Sequence, residues 1–162
     1  MGTENYSNDY QAARQHLSLS AAAREVLEDD RQDFGGGQSW AGILNHVFAV
    51  YRDTADASIS VAVERRRAQY EEKLVGVAAP AVREAVLEAL LADYTEELIE
   101  NAAKNGATPP DKESFKFRLD RDNYAFREQW LDSPDAQYYG GRFSRYLRAV
   151  LEEYAAKTVY QR

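Results

Sequence analysis

In the stretch Phe115-Lys116-Phe117-Arg118-Leu119, apolar and basic residues alternate over five positions, and the period then changes. Alternation of period two places Phe115, Phe117 and Leu119 on one face of a β-strand and leaves Lys116 and Arg118 on the other. Downstream, Tyr124, Trp130 and Leu131 fall on a first helix. A break follows from Ser133-Pro134 to Gly140-Gly141, and Phe143, Leu147, Val150, Leu151 and Tyr154 then form the i, i+3/i+4, i+7 stripe of a second helix. The unit reads as strand, helix, break, helix.

Upstream, the same order recurs twice. His16-Leu17-Ser18-Leu19-Ser20 leads past Gly35-Gly36-Gly37 to Val47-Phe48-Ala49-Val50-Tyr51, and Ile59-Ser60-Val61-Ala62-Val63 leads through Glu64 to Lys73 and past Pro80 to Leu90-Leu91-Ala92-Asp93-Tyr94. The separation from the last inward apolar residue to the closing tyrosine is 32 residues from Leu19 to Tyr51, 31 from Val63 to Tyr94 and 35 from Leu119 to Tyr154. Recurrence at near-constant spacing constrains a fold more than any single motif. Ser39 and Ser144 are expected to cap the second helices of units one and three, and Pro80 suits the first turn of that helix in unit two. The expected organisation is a disordered polar start at 1–13, a first unit at 14–57, a second and degenerate one at 58–105, a linker at 106–113 and a third unit at 114–162.

A lone strand with two short helices cannot bury its apolar face or satisfy its backbone groups, so each unit needs a partner. This pattern resembles the ribbon-helix-helix family, best over 114–157, through Phe117-Arg118-Leu119-Asp120 and the second helix from Ser144 to Tyr154. The resemblance implies a mainly α fold with short β-strands, in which tandem units pair through two-stranded antiparallel ribbons that lie in the major groove of DNA. It assigns Ser114, Lys116 and Arg118 to base contacts and Arg142, Ser144 and Arg145 to phosphate. In the first unit it assigns Arg14, His16 and Ser18 on the strand and Gln38 and Ser39 at the helix start. The matching strand positions of the second unit, Ser58, Ser60 and Ala62, make a poor reading face and suggest a structural copy. The third unit with the tail Tyr154–Arg162 is also similar to the N-terminal region of regulators that continue into a WYL ligand-sensing domain, which would make this chain a stand-alone or truncated relative.

Only residues 52–57 separate the first two units, so the strands Gln15–Ser20 and Ser58–Glu64 are expected to pair within the chain. The third unit is then left to form a homodimer through Phe115–Leu119 and the helix bearing Leu147, Val150 and Leu151, because twofold assembly through matched surfaces is the common solution.

Charge separates the modules. Residues 114–162 hold nine Lys/Arg against seven Asp/Glu, and the preceding 113 hold eleven against twenty, within a net charge of −7. An acidic chain opposes nonspecific DNA binding, which depends on neutralised phosphates, but this objection falls on the first two units. In the third, Lys116 and Arg118 suit guanine O6/N7, and Arg142 and Arg145 lie at a helix start whose free N–H groups also favour phosphate.

Other patterns point away from catalysis. Glu64-Arg65-Arg66-Arg67 is followed by Glu71 and Glu72 and reads as a salt-bridged helix face. His16 and His46 have no carboxylate or cysteine at metal-ligand spacing in the sequence, no phosphate loop or nucleophile elbow is visible, and no cofactor is implied. Absence of cysteine points to a cytoplasmic location, and no apolar run reaches membrane-spanning length. The expected function is sequence-specific binding of double-stranded DNA as a bacterial or phage transcriptional repressor. The alternatives are a plasmid relaxosome or partition accessory protein, or an inhibitor or antitoxin-like module whose acidic N-terminal units engage a protein partner.

Overall fold

A computed structural model describes residues 14–33, 38–77 and 79–161, which leaves the expected disordered start at 1–13 and the break Gly35-Gly36-Gly37 outside the described residues. The described residues are mainly helical with one small antiparallel sheet. Its elements are β1 (Gln15–Leu19), α1 (Ala21–Asp33), α2 (Trp40–Tyr51), α3 (Ile59–Leu74), α4 (Pro80–Gly106), β2 (Glu113–Phe117), α5 (Arg121–Leu131), a 3₁₀ helix (Pro134–Tyr139) and α6 (Phe143–Gln161).

The strands expected at 15–20 and 115–119 form at Gln15–Leu19 and, two residues earlier than expected, at Glu113–Phe117, and they pair with each other, Gln15 opposite Phe117 and Leu19 opposite Glu113. This corrects the expected pairing of Gln15–Ser20 with Ser58–Glu64. It also removes the ground for a homodimer through Phe115–Leu119, because that strand has its partner in the same chain. Residues 59–63 are not a strand but the first turns of α3. Ile59 and Ala62, one helical turn apart, are buried, and the carboxylate of Asp135 accepts hydrogen bonds from Ser60 N (3.1 Å) and Ser60 Oγ (2.6 Å). A distant carboxylate thus satisfies a free N–H at the helix start and offsets the β preference of Ile59, Val61 and Val63.

Units one and three repeat the order of strand, cap and two helices, and their strands pair antiparallel. Ser20 and Asp120, 100 residues apart, cap α1 and α5 by accepting from Ala23 N (3.1 Å) and Asn123 N (2.8 Å). Leu17 and Phe117, and Leu19 and Leu119, occupy matching buried positions. Tyr51 at the end of α2 meets Tyr154 of α6 with ring centroids 5.6 Å apart, although α6 runs on to Gln161 instead of closing at Tyr154. Between them runs one core: Leu27, Ile43, Leu44 and Phe48 from one unit against Tyr146, Leu147, Val150 and Leu151 from the other, all below 2 % exposed. Such a core gives the ribbon the apolar support that neither unit supplies alone.

The second unit is a helical hairpin inserted between these halves. Pro80 opens α4 as expected, but the helix runs 27 residues to Gly106 instead of ending near Tyr94. The connection at 106–113 is therefore shorter than expected, since Gly106 is helical and Glu113 already belongs to β2. Leu87 and Leu91 are buried on one side of α4, and nearer its end Leu98 and Ala102 join the main core. Gly106 allows close packing, because a Cβ there would lie 3.3 Å from the carbonyl oxygen of Arg145. The basic run behaves as a solvated face: Arg67 pairs with Glu71 (3.7 Å), and Arg66 lies over the ring of Tyr94 (4.0 Å).

Candidate nucleic-acid interface

The pleat sorts the ribbon into two faces. Gln15, Leu17, Leu19, Phe115 and Phe117 turn inward, with Phe115 against Trp40 at 4.9 Å between ring centroids. His16, Ser18, Ser114 and Lys116 turn outward, and Arg14 and Arg118 continue the same parity at the strand ends, both exposed. This outer face holds two arginines, a lysine, a histidine and two serines, and no carboxylate. Glu113, the one acid in the strands, belongs by register to the inner side, where it pairs with Arg24 at 3.0 Å. The six strand residues expected to read bases, Arg14, His16, Ser18, Ser114, Lys116 and Arg118, thus come together on one surface, although pairing of units one and three was not foreseen.

Cross-strand register also gives the face a direction. His16 lies opposite Lys116 at the centre. Ser18 lies opposite Ser114 with their hydroxyl oxygens 3.2 Å apart, and one step beyond the other end of the ladder Arg14 faces Arg118. The ribbon has a serine end and an arginine end.

Two buried side chains fix the ribbon to the helices below. Asn45 Nδ2 donates to the carbonyl of Arg118 (3.0 Å), while Asn45 Oδ1 accepts from Asp120 N (2.8 Å) and Asn123 Nδ2 (3.0 Å). Its counterpart 103 residues on, Arg148, donates from Nε to the carbonyl of Ser18 (2.8 Å) and from Nη1 to the carbonyl of Gly106. Burial, and then the charge of Arg145, push the Arg148 guanidinium below the usual arginine range, with Glu152 acting the other way. Each second helix therefore grips the opposite strand at a matched carbonyl. Neither residue was singled out from the sequence; the available signal was a polar side chain inside an apolar stripe, in Leu44-Asn45 and Leu147-Arg148-Ala149.

These grips set where the second helices begin. Ser39 caps α2 as expected, accepting from Gly42 N at 3.0 Å, and with Gln38, Asn45 and Asp120 it lines a cleft beside the arginine end. Arg148, the sixth residue of α6, holds that helix to Ser18 at the serine end; Arg142 and Arg145 at its start are exposed, and Ser144, expected as its cap, is half-buried inside the first turn instead. Of the expected phosphate residues, Gln38 and Ser39 thus lie beside the arginine end of the ribbon, whereas Arg145 lines a cleft with Ala102, Gly106 and Thr108 at the end of α4. The strand positions expected of unit two are elsewhere: Ser58 is buried against Tyr146 (2.7 Å), and Ser60 serves the start of α3. Among the described residues, no group of three or more acidic, histidine or cysteine side chains is placed to hold a metal ion, and no helix is long and apolar enough to cross a membrane.

No protein-family model and no curated protein matches this chain. Among solved structures it is similar to one described as a CRISPR Cas-related protein, at a TM-score of 0.55 and 20% identity, over 89% of this chain and 39% of the other. The likeness supports the fold, and the chain spans about two fifths of that protein's length.

Proposed function

We propose that the chain binds double-stranded DNA as an intramolecular ribbon-helix-helix pseudo-dimer, laying the outer face of β1 and β2 in the major groove. The observation that carries this reading is the ribbon's outer surface: Arg14, His16, Lys116 and Arg118 gathered without a carboxylate on a protein of net charge −7. A two-stranded ribbon fits the major groove, arginine and lysine match guanine O6/N7, and a helix start beside the ribbon suits phosphates. A repressor that occludes an operator is the role such a reader fits best. Mobility shifts of duplex fragments at two salt concentrations test it: retarded complexes that weaken steeply with salt support binding, and the absence of any complex at low salt overturns it.

A second reading, a protein-binding module, is favoured by the α3–α4 hairpin. Val75 and Val77 in its turn are each 69% exposed, and Val82, Val86 and Leu90 form an exposed i, i+4, i+8 row on α4. Exposed apolar patches mark interaction surfaces more often than chance. Co-purification of a partner with the parent but not with a Val82→Ser, Val86→Ser variant would favour this reading.

A further inference from the structure

We infer, resting on the DNA-binding reading above, that the preferred duplex is non-palindromic, with base preference concentrated in the half that meets the arginine end of the ribbon. A symmetric homodimer presents identical halves and asks for a palindrome. Here matching positions of the two strands hold unlike residues: Arg14 matches Ser114, His16 matches Lys116, and Ser18 matches Arg118. Register then gathers both arginines at one end and both serines, 3.2 Å apart, at the other.

The helix starts are unequal in the opposite sense. Beside the arginine end, α2 begins with Gln38 and Ser39, which are neutral, and the Ser39 hydroxyl is occupied by Gly42 N. The start of α6 carries Arg142 and Arg145, both exposed, on the helix whose Arg148 bonds the Ser18 carbonyl at the serine end. Arginine on a base edge carries sequence information, whereas arginine on phosphate positions the protein without reading sequence. One end is therefore built to specify and the other to anchor. His16 and Lys116 occupy the centre, where one base step meets two different side chains.

Selection of the full chain on a random duplex library tests this. The expected motif has guanines in one half and little preference in the other. Changing a selected guanine should weaken binding about tenfold or more, the lower range of a lost bidentate contact. The matching change in the other half should weaken it less than about threefold. In the Arg14→Ala, Arg118→Ala double variant the motif should flatten. Arg142→Ala should leave the motif intact and weaken all duplexes together. These side chains are exposed, so folding is not at stake. A motif with two equivalent halves, or retention of duplex without any enriched sequence, overturns the asymmetry while leaving DNA binding in place. Failure to retain any duplex overturns the DNA reading itself and this inference with it.

Discussion

Arg118 and Arg142 are both exposed, and the proposed DNA interface gives them different work. Arg118→Ala should cost ~1–3 kcal/mol on the preferred site and relax discrimination at one base pair, because a bidentate guanine contact is lost. Arg142→Ala should weaken specific and scrambled duplexes about equally and reduce the salt slope by roughly one. Anisotropy titrations of both variants against both duplexes, over several salt concentrations, separate these outcomes; parental binding by both would remove the ribbon from the interface. Asn45 can be judged without DNA. Asn45→Ala removes the side-chain partner of the Arg118 carbonyl and of Asp120 N, while Asn123 Nδ2 keeps its bond to the Asn45 carbonyl, and leaving such part-buried polar groups unpaired costs roughly 1–3 kcal/mol. Urea unfolding should show that loss at an unchanged slope, and an unaltered midpoint would mean water replaces the side chain.

At the scale of elements, Phe117 is the inward anchor of β2, 5% exposed and opposite Gln15. Phe117→Ala should destabilise the fold by ~3–5 kcal/mol, the usual cost of truncating a buried phenylalanine, and should lower Tm in calorimetry. A variant that melts like the parent would place the strand in the wrong register. Both real strands were legible from alternation; the caps that follow Leu19 and Leu119, Ser20 and Asp120, emerge only in the fold. The false strand at 59–63 alternates equally well, but pattern alone cannot show whether a second strand lies within reach. What decides there is tertiary: Asp135, 75 residues from Ser60, accepts its N–H and hydroxyl. The outer residues of the ribbon were legible one by one from parity, while their meeting on one surface was not, since it depends on which two of three strands pair.

Across the whole molecule, a hydrogen-bond network ties the inserted hairpin to the paired units. The Glu153 carboxylate accepts from Tyr51 Oη (2.7 Å), Asp56 N (2.8 Å) and Ala57 N (3.0 Å), and Tyr139 Oη donates to the Ala57 carbonyl (2.6 Å). Burial raises the phenols of Tyr51, Tyr139 and Tyr146 above the ordinary tyrosine range, helped at Tyr51 by the neighbouring Glu153 charge and at Tyr139 by the charges around it, while Ser58 partly opposes the shift at Tyr146. A phenol whose folded pKa lies above its unfolded value of about 10 contributes stability that is complete below that pH and is lost as pH rises beyond it. Stability should therefore fall in the alkaline range. In a spectrophotometric titration a subset of tyrosines should ionise only as the chain unfolds; simple titration of every tyrosine near pH 10 with the fold intact would show these rings to be accessible.

The most direct test of the central claim is an amide chemical-shift map of the labelled protein titrated with a short duplex. Binding through the ribbon predicts the largest changes at residues 14–18 and 113–118 and at the starts of α2 and α6, with the α3–α4 hairpin unmoved. Changes confined to the hairpin, or none at stoichiometric duplex and low salt, would contradict it.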